Sequence, residues 1–445
     1  MRFFLVIVTL CTLLGADITV TQAWQLTQDK SSALKALSVE KERAKNMRDG
    51  ASSMYLPQIT LSGSYTRLDK PVELDTSDVS NFLGSLPMPI EFPSSVDLTQ
   101  EDVFLAHIDM LWPLYTGGKI DAAQDIYQSR LDEASAKAMM QTDKAFINFI
   151  KVYYGVIIAN SLYETRLEAQ KALQIHFKHA QKLKEQGQIA KVELLSVKVK
   201  LDEAKIESTK ARHKLDIAQS ALNKMLHKKE IPSSPMFVDG ATDTQQYYTD
   251  ETLQNYPALS ILDHKSDQVG SSITIQKAAY HPTVFAFGDY MLYKDDSIAM
   301  EMVPRWFAGL GIKFDILSRD GRSEKIEAAK LLKRELDLKR ADAIEKLSLL
   351  VEKTYNEMIL YQDEYRALTS SLVLAKENVK LRQIAFREGI STSLELVDAQ
   401  LFLMASKTKR LNAAYHYVQS IAQLAVLSGD RDRFFNIAQE AAEVR

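Results

Sequence analysis

Phe104-Leu105-Ala106-His107-Ile108-Asp109-Met110-Leu111-Trp112 and Trp306-Phe307-Ala308-Gly309-Leu310-Gly311-Ile312-Lys313-Phe314 decide how this chain is read. In the first stretch Phe104, Ala106, Ile108, Met110 and Trp112 share one face, and His107 and Asp109 lie on the other. In the second, Trp306, Ala308, Leu310, Ile312 and Phe314 form the apolar face, opposite Gly309, Gly311 and Lys313. Position 104 maps to 306 and position 112 to 314, so one constant offset relates every pair. Alternation with a period of two predicts strands. An apolar face with aromatic residues at both ends suits a strand facing lipid, although half of a soluble sheet alternates in the same way.

The duplication extends outward. Pro57-Gln58-Ile59-Thr60-Leu61-Ser62-Gly63-Ser64-Tyr65 and Pro282-Thr283-Val284-Phe285-Ala286-Phe287-Gly288-Asp289-Tyr290 share the spacing of Pro, Gly and Tyr, and both read as strands that begin after a proline. Ala33-Leu34 and Ala258-Leu259 lie equally far upstream of those prolines. The first pair of strands is separated by a long segment holding Pro71, Pro87, Pro89 and Pro93, read as an irregular outer loop; the second pair is separated by a shorter one.

Beyond the strands the pattern changes to heptads. Phe146, Phe149, Tyr153, Val156, Asn160, Tyr163 and Leu167 fall at alternating spacings of three and four, and Leu194, Val197, Leu201 and Ala204 continue them. Ile344, Leu347, Val351, Thr354 and Met358, then Leu394, Val397, Leu401 and Met404, repeat the pattern. A sustained period of 3.5 predicts left-handed coiled-coil packing. The chain has 16 glycines and 11 prolines in 445 residues, and none of the prolines lies between Lys119 and Ile231 or beyond Arg305. Without backbone breakers these stretches have room for very long helices. Gly187 and Gly389 mark the two places where such arms can turn back.

The ends and the charge set the compartment. Arg2, the apolar run Phe3 to Leu14 and Gly15-Ala16 match a secretory signal, cut after Ala16 or at Ala23. Cys11 is the only cysteine, so removal of the signal leaves no disulfide or thiolate chemistry; Leu10 before it is bulky for a lipidation signal. No mature segment reads as a transmembrane helix, which leaves an exported soluble protein or a β-barrel. A net charge of −3, with basic and acidic residues interleaved, gives no basic field for nucleic acid. Four strands cannot close a barrel, and an open edge cannot sit in lipid, so strands in a membrane require several copies of the chain; two would supply eight strands with an interior filled by side chains, three would supply twelve and room for a lumen.

The chain resembles the TolC-like outer-membrane efflux protein family. The resemblance rests on the duplicated order of strands and helices, Leu56-Pro57 before the first strand, Trp112-Pro113-Leu114-Tyr115-Thr116-Gly117-Gly118 after the second, and Asn255-Tyr256-Pro257-Ala258-Leu259 at the start of the second repeat. It implies a mainly α fold with a β-barrel part: a homotrimer with a 12-strand barrel in outer-membrane lipid, continued by a periplasmic α-helical coiled-coil tunnel. It implies a passive duct that receives its cargo from a periplasmic adaptor and an inner-membrane transporter, in efflux or type I secretion. Carried onto this sequence, Glu395 and Asp398, six and nine residues beyond Gly389, become constriction carboxylates, with Glu193 in the equivalent place of the first hairpin and Ser196 at its ninth. Phe386 fits an aromatic position three places before the glycine and is counted with the constriction, and Gly187 and Gly389 become the adaptor-docking tips. Ser391 stands where the family can carry an arginine. A periplasmic adaptor or a soluble coiled-coil scaffold is the competing reading; an adaptor would have one hairpin, not two.

The domain expectation is a signal at 1–16, a first repeat at 17–230, a linker at 231–250, a second repeat at 251–430 and a C-terminal tail at 431–445. Strands are expected near 57–66, 103–115, 282–291 and 305–317, and helical hairpins over 119–228 and 322–428. No enzyme motif, cofactor or metal is expected. Gly309-Leu310-Gly311 lacks the third glycine of a dinucleotide fingerprint. His176 and His179 read as a surface pair on an amphipathic arm rather than as metal ligands.

Overall fold

The computed structural model describes residues 16–86, 91–238, 242–317 and 319–443. The expected signal up to residue 15, with Cys11, lies outside them. The chain opens with β1 (Ala16–Ile18), α1 (Val20–Lys30) and α2 (Ser32–Ala51), then β2 (Gln58–Arg67). β3 (Glu73–Asp75), α3 (Ser77–Gly84) and β4 (Ser95–Asp97) precede β5 (Asp102–Tyr115), and the first long pair is α4 (Lys119–Glu185) with α5 (Lys191–Leu226). β6 (Glu230–Pro232) leads to α6 (Gln245–Asn255), α7 (Pro257–Ala278), β7 (Thr283–Tyr293), the single turn α8 (Ile298–Glu301) and β8 (Trp306–Lys313). The second long pair is α9 (Arg322–Arg387) with α10 (Ser393–Leu427), and α11 (Arg431–Glu443) comes last. With 67 residues, α4 runs for about 100 Å.

Among the described residues two compact units are formed, one of residues 16–42, 133–238, 242–263 and 338–443, the other of residues 43–86, 91–132, 264–317 and 319–337. The second unit holds a four-stranded antiparallel sheet in the order β2-β5-β7-β8, with β2 and β8 as edges. The loop between β2 and β5, expected to be irregular, contains a small antiparallel β3–β4 pair and α3. β3 and β4 are three residues each, too short for an alternating pattern to stand out in the sequence.

The first unit is built on aromatic packing. Phe146, Phe149, Tyr153 and Tyr154 of α4 are buried with Trp24 of α1, Phe237, Tyr417 of α10 and Phe434 of α11. By length and composition alone, α4 contains one window that could cross a membrane, a test that the core helix of a folded domain also passes. Part of α4 serves the core: Phe146, Phe149, Ile150, Tyr153, Tyr154, Val156 and Ile158 lie in it. β1 pairs in parallel with β6, and the Tyr153 hydroxyl donates to the Ile18 carbonyl at 2.7 Å. Thr19 caps α1 in a reciprocal box with Gln22, and Ala23 is buried. A cut at Ala23 would remove this cap and β1, whose Ile18 belongs to the core.

Two segments expected as linker and tail carry regular structure. The expected linker 231–250 carries most of β6 and the first turns of α6. The expected tail is the helix α11, whose Phe434 is fully buried and whose Arg431 Nη1 donates to Asp143 at 3.0 Å. Each first strand is also preceded by a pair of helices, α1–α2 and α6–α7. These leave little trace in the sequence, since Ala51 is the one buried residue of α2.

Candidate functional site

The strands of the second unit sort their side chains by register. Ile59 faces Met110, Leu61 faces Ile108 and Tyr65 faces Phe104 across β2 and β5. Met110 faces Gly288, and Ile108 faces Tyr290, across β5 and β7. Tyr290 pairs with Trp306, Ala286 with Leu310 and Val284 with Ile312. Directly opposed residues share a face, so one side of the whole sheet is apolar from edge to edge. In the isolated chain that side is bare: Leu61, Leu310 and Ile312 are 69%, 74% and 71% exposed. A continuous apolar face of this extent marks a surface that is covered in the working protein.

The opposite face carries Thr60, Ser62, His107, Asp109, Asp289, Phe285 and Phe287. Gly309 and Gly311 lie on it beneath the rings of Phe287 and Phe285; a Cβ on Gly309 would come within 2.9 Å of the Phe287 ring. The Gly-Leu-Gly run is therefore a seat for two aromatic rings. The strand exit at Trp112–Gly118 is fixed by the indole of Trp112 donating to the Tyr55 carbonyl at 2.9 Å. Gly117 and Gly118 then take positive φ of 64° and 82°, a conformation that costs glycine little.

In the first unit, the two hairpins turn by one motif. At the first tip Gln188 N donates to Leu183 O at 2.8 Å and Gly187 N to Lys184 O at 3.0 Å, with Gly187 at φ 76°. At the second, Ile390 N donates to Ala385 O at 2.8 Å and Gly389 N to Phe386 O at 3.2 Å, with Gly389 at φ 74°. These are the paired bonds of a Schellman stop, which satisfy the last carbonyls of a helix.

Beyond the glycine the two tips differ. Ala190 precedes α5 without a side-chain cap, and Glu193 sits half-buried in the first turn of that helix. Thr392 caps α10, and Glu395 returns the bond to the Thr392 backbone at 3.1 Å, a capping box. The same Glu395 oxygen accepts from Ser391 Oγ at 2.5 Å and from Arg382 Nη1 at 3.1 Å. The Ser391 hydroxyl, then the Thr392 amide, hold the carboxyl below its ordinary range, with Arg382 acting in the same direction. Ser391, at the position of the family's arginine, thus supports Glu395, while Arg382 on the opposite arm supplies the cation. Asp398 lies one turn further along α10 and is exposed.

Phe386 does not offer a free ring at the tip. It is 6% exposed and packs edge-on against His176, with ring centroids 4.7 Å apart. His176 is no surface residue either: it is 4% exposed, and its Nε2 lies 2.7 Å from Ser393 Oγ. His179 remains exposed. Burial pushes the His176 imidazole down from 6.5 to about 4, with the Ser393 bond opposing and His179 adding to the shift. Leu173, Val197, Leu201 and Val397 form a small separate core on the same arms. The link between His176 and Ser393 spans 217 positions, and nothing local in the sequence points to it. The Arg382–Glu395 pair is more accessible to sequence reading, since the two lie at nearly equal distances on either side of Gly389.

A sheet with one bare apolar face, whose edge strands have no strand partner among the described residues, together with duplicated long helical hairpins, fits a protein that places its strands in a membrane. The profile of the outer membrane efflux protein family matches residues 23–227 and 249–430, and the chain belongs to that family. It is accordingly an outer-membrane protein whose helical hairpins project into the periplasm. No curated protein matches the chain by sequence. Among solved structures, CusC is similar at a TM-score of 0.77 and 13% identity, over 94% of this chain and 93% of that one. The outer membrane protein VceC of Vibrio cholerae gives 0.75 at 12% identity, over 93% and 96%. The Campylobacter jejuni outer membrane channel CmeC gives 0.71 at 14%, over 96% and 90%.

Proposed function

We propose that three copies of the chain close a 12-strand barrel and act as the passive exit duct of a tripartite efflux pump or type I secretion system. The observation that carries this reading is the sheet: its apolar face is uninterrupted from β2 to β8, and both edge strands lack a strand partner among the described residues. Open edges are not tolerated in lipid, and cyclic repetition removes them. In this reading the hairpin tips at Gly187 and Gly389 dock a periplasmic adaptor, and an inner-membrane transporter supplies cargo and energy. Glu395, Asp398 and Glu193 line the constriction, with Phe386 buried behind it as packing. Of the three, Asp398 is the exposed carboxylate outside the capping network.

The reading is tested on the purified full-length mature protein in detergent. A trimer in sedimentation analysis and discrete conductance steps in a planar bilayer are expected. A soluble monomer that produces no conductance would overturn the proposal in favour of a coiled-coil scaffold.

A further inference from the structure

Two cavities adjoin along α4, α9 and α10, both within the first unit. The larger, about 510 Å³, is lined by Tyr365, Lys376 and Arg410, with Leu372 and Leu411 among its apolar walls. The smaller, about 260 Å³, is lined mostly by apolar groups, among them Ala172, Ile175, Val379, Leu403 and Met404. Thr165, Glu168 and Lys407 border both, so the two form one groove with a charged part and an apolar part. Volumes of this size, with a few placed polar groups among apolar ones, are those of small-molecule sites.

The charged part holds Lys376, Lys407 and Arg410 against Glu164 and Glu168. Lys407 is paired with Glu168, and Glu164 accepts from Asn160 Nδ2 at 3.1 Å. Lys376, which is exposed, and Arg410 have no carboxylate partner among the described residues. Arg410 is held in place. Its Nη2 donates to the Tyr365 hydroxyl at 2.6 Å, and its guanidinium carbon lies 4.5 Å from the centroid of that ring. Stacking and the bond together orient the planar group. Its Nε–H is shut off from water and meets no acceptor. A donor buried in that way costs stability, so packing alone does not account for it. A carboxylate, which accepts from two guanidinium N–H groups at once, does. Arg410 and Leu403 are seven residues apart on α10 and so share a face, about 10 Å apart along the axis. The cation and the apolar part are thus one short aliphatic chain apart.

We propose that this groove binds a small amphipathic monocarboxylate, its carboxylate on Arg410 and Lys376 and its apolar body along Leu403, Met404 and Ala172. Because the hairpins stand in the periplasm, the ligand reaches the groove from water and not from the bilayer. The site is built from the helices of one chain, so it goes beyond the duct reading and does not depend on a closed barrel.

The test is calorimetric titration of octanoate into the full-length protein in a neutral detergent, with protein-free micelles as the blank. Saturable binding is expected. Octanamide, the uncharged counterpart of the same length, should bind about tenfold more weakly, because it forms no charge-assisted bonds. Arg410→Gln should weaken octanoate by about tenfold, and Lys376→Gln by about two- to threefold, since its side chain is exposed. Leu403→Glu sets a charge against the apolar body and should weaken octanoate as much as Arg410→Gln does. Absence of saturable octanoate binding above the blank would overturn the proposal, and so would equal affinity for octanoate and octanamide. Equal octanoate affinity in wild type and Arg410→Gln would do the same. If Arg410→Gln does not fold, having lost its bond to Tyr365, the comparison of octanoate with octanamide on the wild-type protein decides alone. A channel without conductance would leave this binding unchanged, so failure of the duct reading and failure of the site are separate results.

Discussion

His176 Nε2 and Ser393 Oγ lie 2.7 Å apart, joining the long helix α4 of the first hairpin to the first turn of α10 in the second. The bond is buried, and it fixes the start of the helix that carries Glu395 and Asp398. Because burial lowers the folded-state pKa of His176 from 6.5 to about 4, the unfolded chain binds a proton first as pH falls. Stability therefore rests at its full value above pH 6.5 and declines until about pH 4. A shift of that size corresponds to about 3 kcal/mol. His176→Gln should remove much of this slope, read from denaturant midpoints of the detergent-solubilised protein between those two pH values. Equal slopes in wild type and variant would remove His176 from the account.

At the second tip, Thr392→Ala removes the hydroxyl that caps α10 and should cost about 1 kcal/mol. It should also speed proteolytic nicking next to Gly389, because the cap is one of the bonds that fix the start of α10 beside that glycine. Glu395 has its pKa lowered, so its contribution is present above the ordinary carboxylate range and fades as pH falls through the lowered value. Limited proteolysis at neutral and acid pH would detect both effects. A Thr392→Ala tip that resists nicking as the wild type does would rule out the cap as a restraint.

Glu395 and Asp398 should also separate as selectivity determinants. One Glu395 oxygen is engaged by Ser391, Thr392 and Arg382, and its charge is partly offset by the guanidinium. Asp398 is exposed on the next turn. Asp398→Asn alone should lower cation preference in single-channel recordings more than Glu395→Gln alone. The reverse order would mean that the Arg382–Glu395 pair opens in the membrane.

Features with a period are legible in the sequence, and features made by distant contacts are not. The strands are readable because one face is apolar at every second residue from Phe104 to Trp112 and from Trp306 to Ile312. The tips are readable because only glycine takes the left-handed turn easily, at Gly187 and Gly389. Helix α2 escapes because it buries only Ala51, leaving no stripe to detect. The His176 cluster escapes because His176 sits among Gln174, Lys178 and Lys182, a context that reads as a solvated face. Its burial comes from Phe386 and Ser393, more than 200 positions away in the chain.

The glycine seats on β8 give a prediction about the sheet. Gly309 and Gly311 leave room for Phe287 and Phe285, which face them across the β7–β8 register. Gly311→Val should force the Phe285 ring aside and destabilise the assembly by about 1–3 kcal/mol, as overpacking does. Phe285→Ala in the same chain should recover much of that loss, while costing stability when made alone. Thermal dissociation of the oligomer, followed by gel mobility, reads all three variants. If Phe285→Ala adds to the damage of Gly311→Val instead of relieving it, the ring does not occupy that seat.

The C-terminal helix supplies the clearest contrast with a tail. Arg431, Asp432 and Arg433 at its start look like the beginning of a solvated extension, but Phe434 behind them is fully buried. Its ring meets Phe146 at 5.7 Å, Phe237 at 5.9 Å and Tyr154 at 6.3 Å between centroids. Burial raises the pKa of Asp143 even though Arg431 opposes the shift, so the charge of Asp143 depends on that partner. Phe434→Ala should cost about 3–5 kcal/mol, the range for removing a buried aromatic ring, whereas a change in a tail would cost almost nothing. Arg431→Ala should deepen the loss of stability as pH rises from the ordinary carboxylate range through the raised pKa of Asp143, because ionising Asp143 without its guanidinium is unfavourable. Denaturant unfolding of both variants near pH 5 and pH 8 separates the two effects. A Phe434→Ala protein as stable as the wild type would mean that α11 lies outside the core after all.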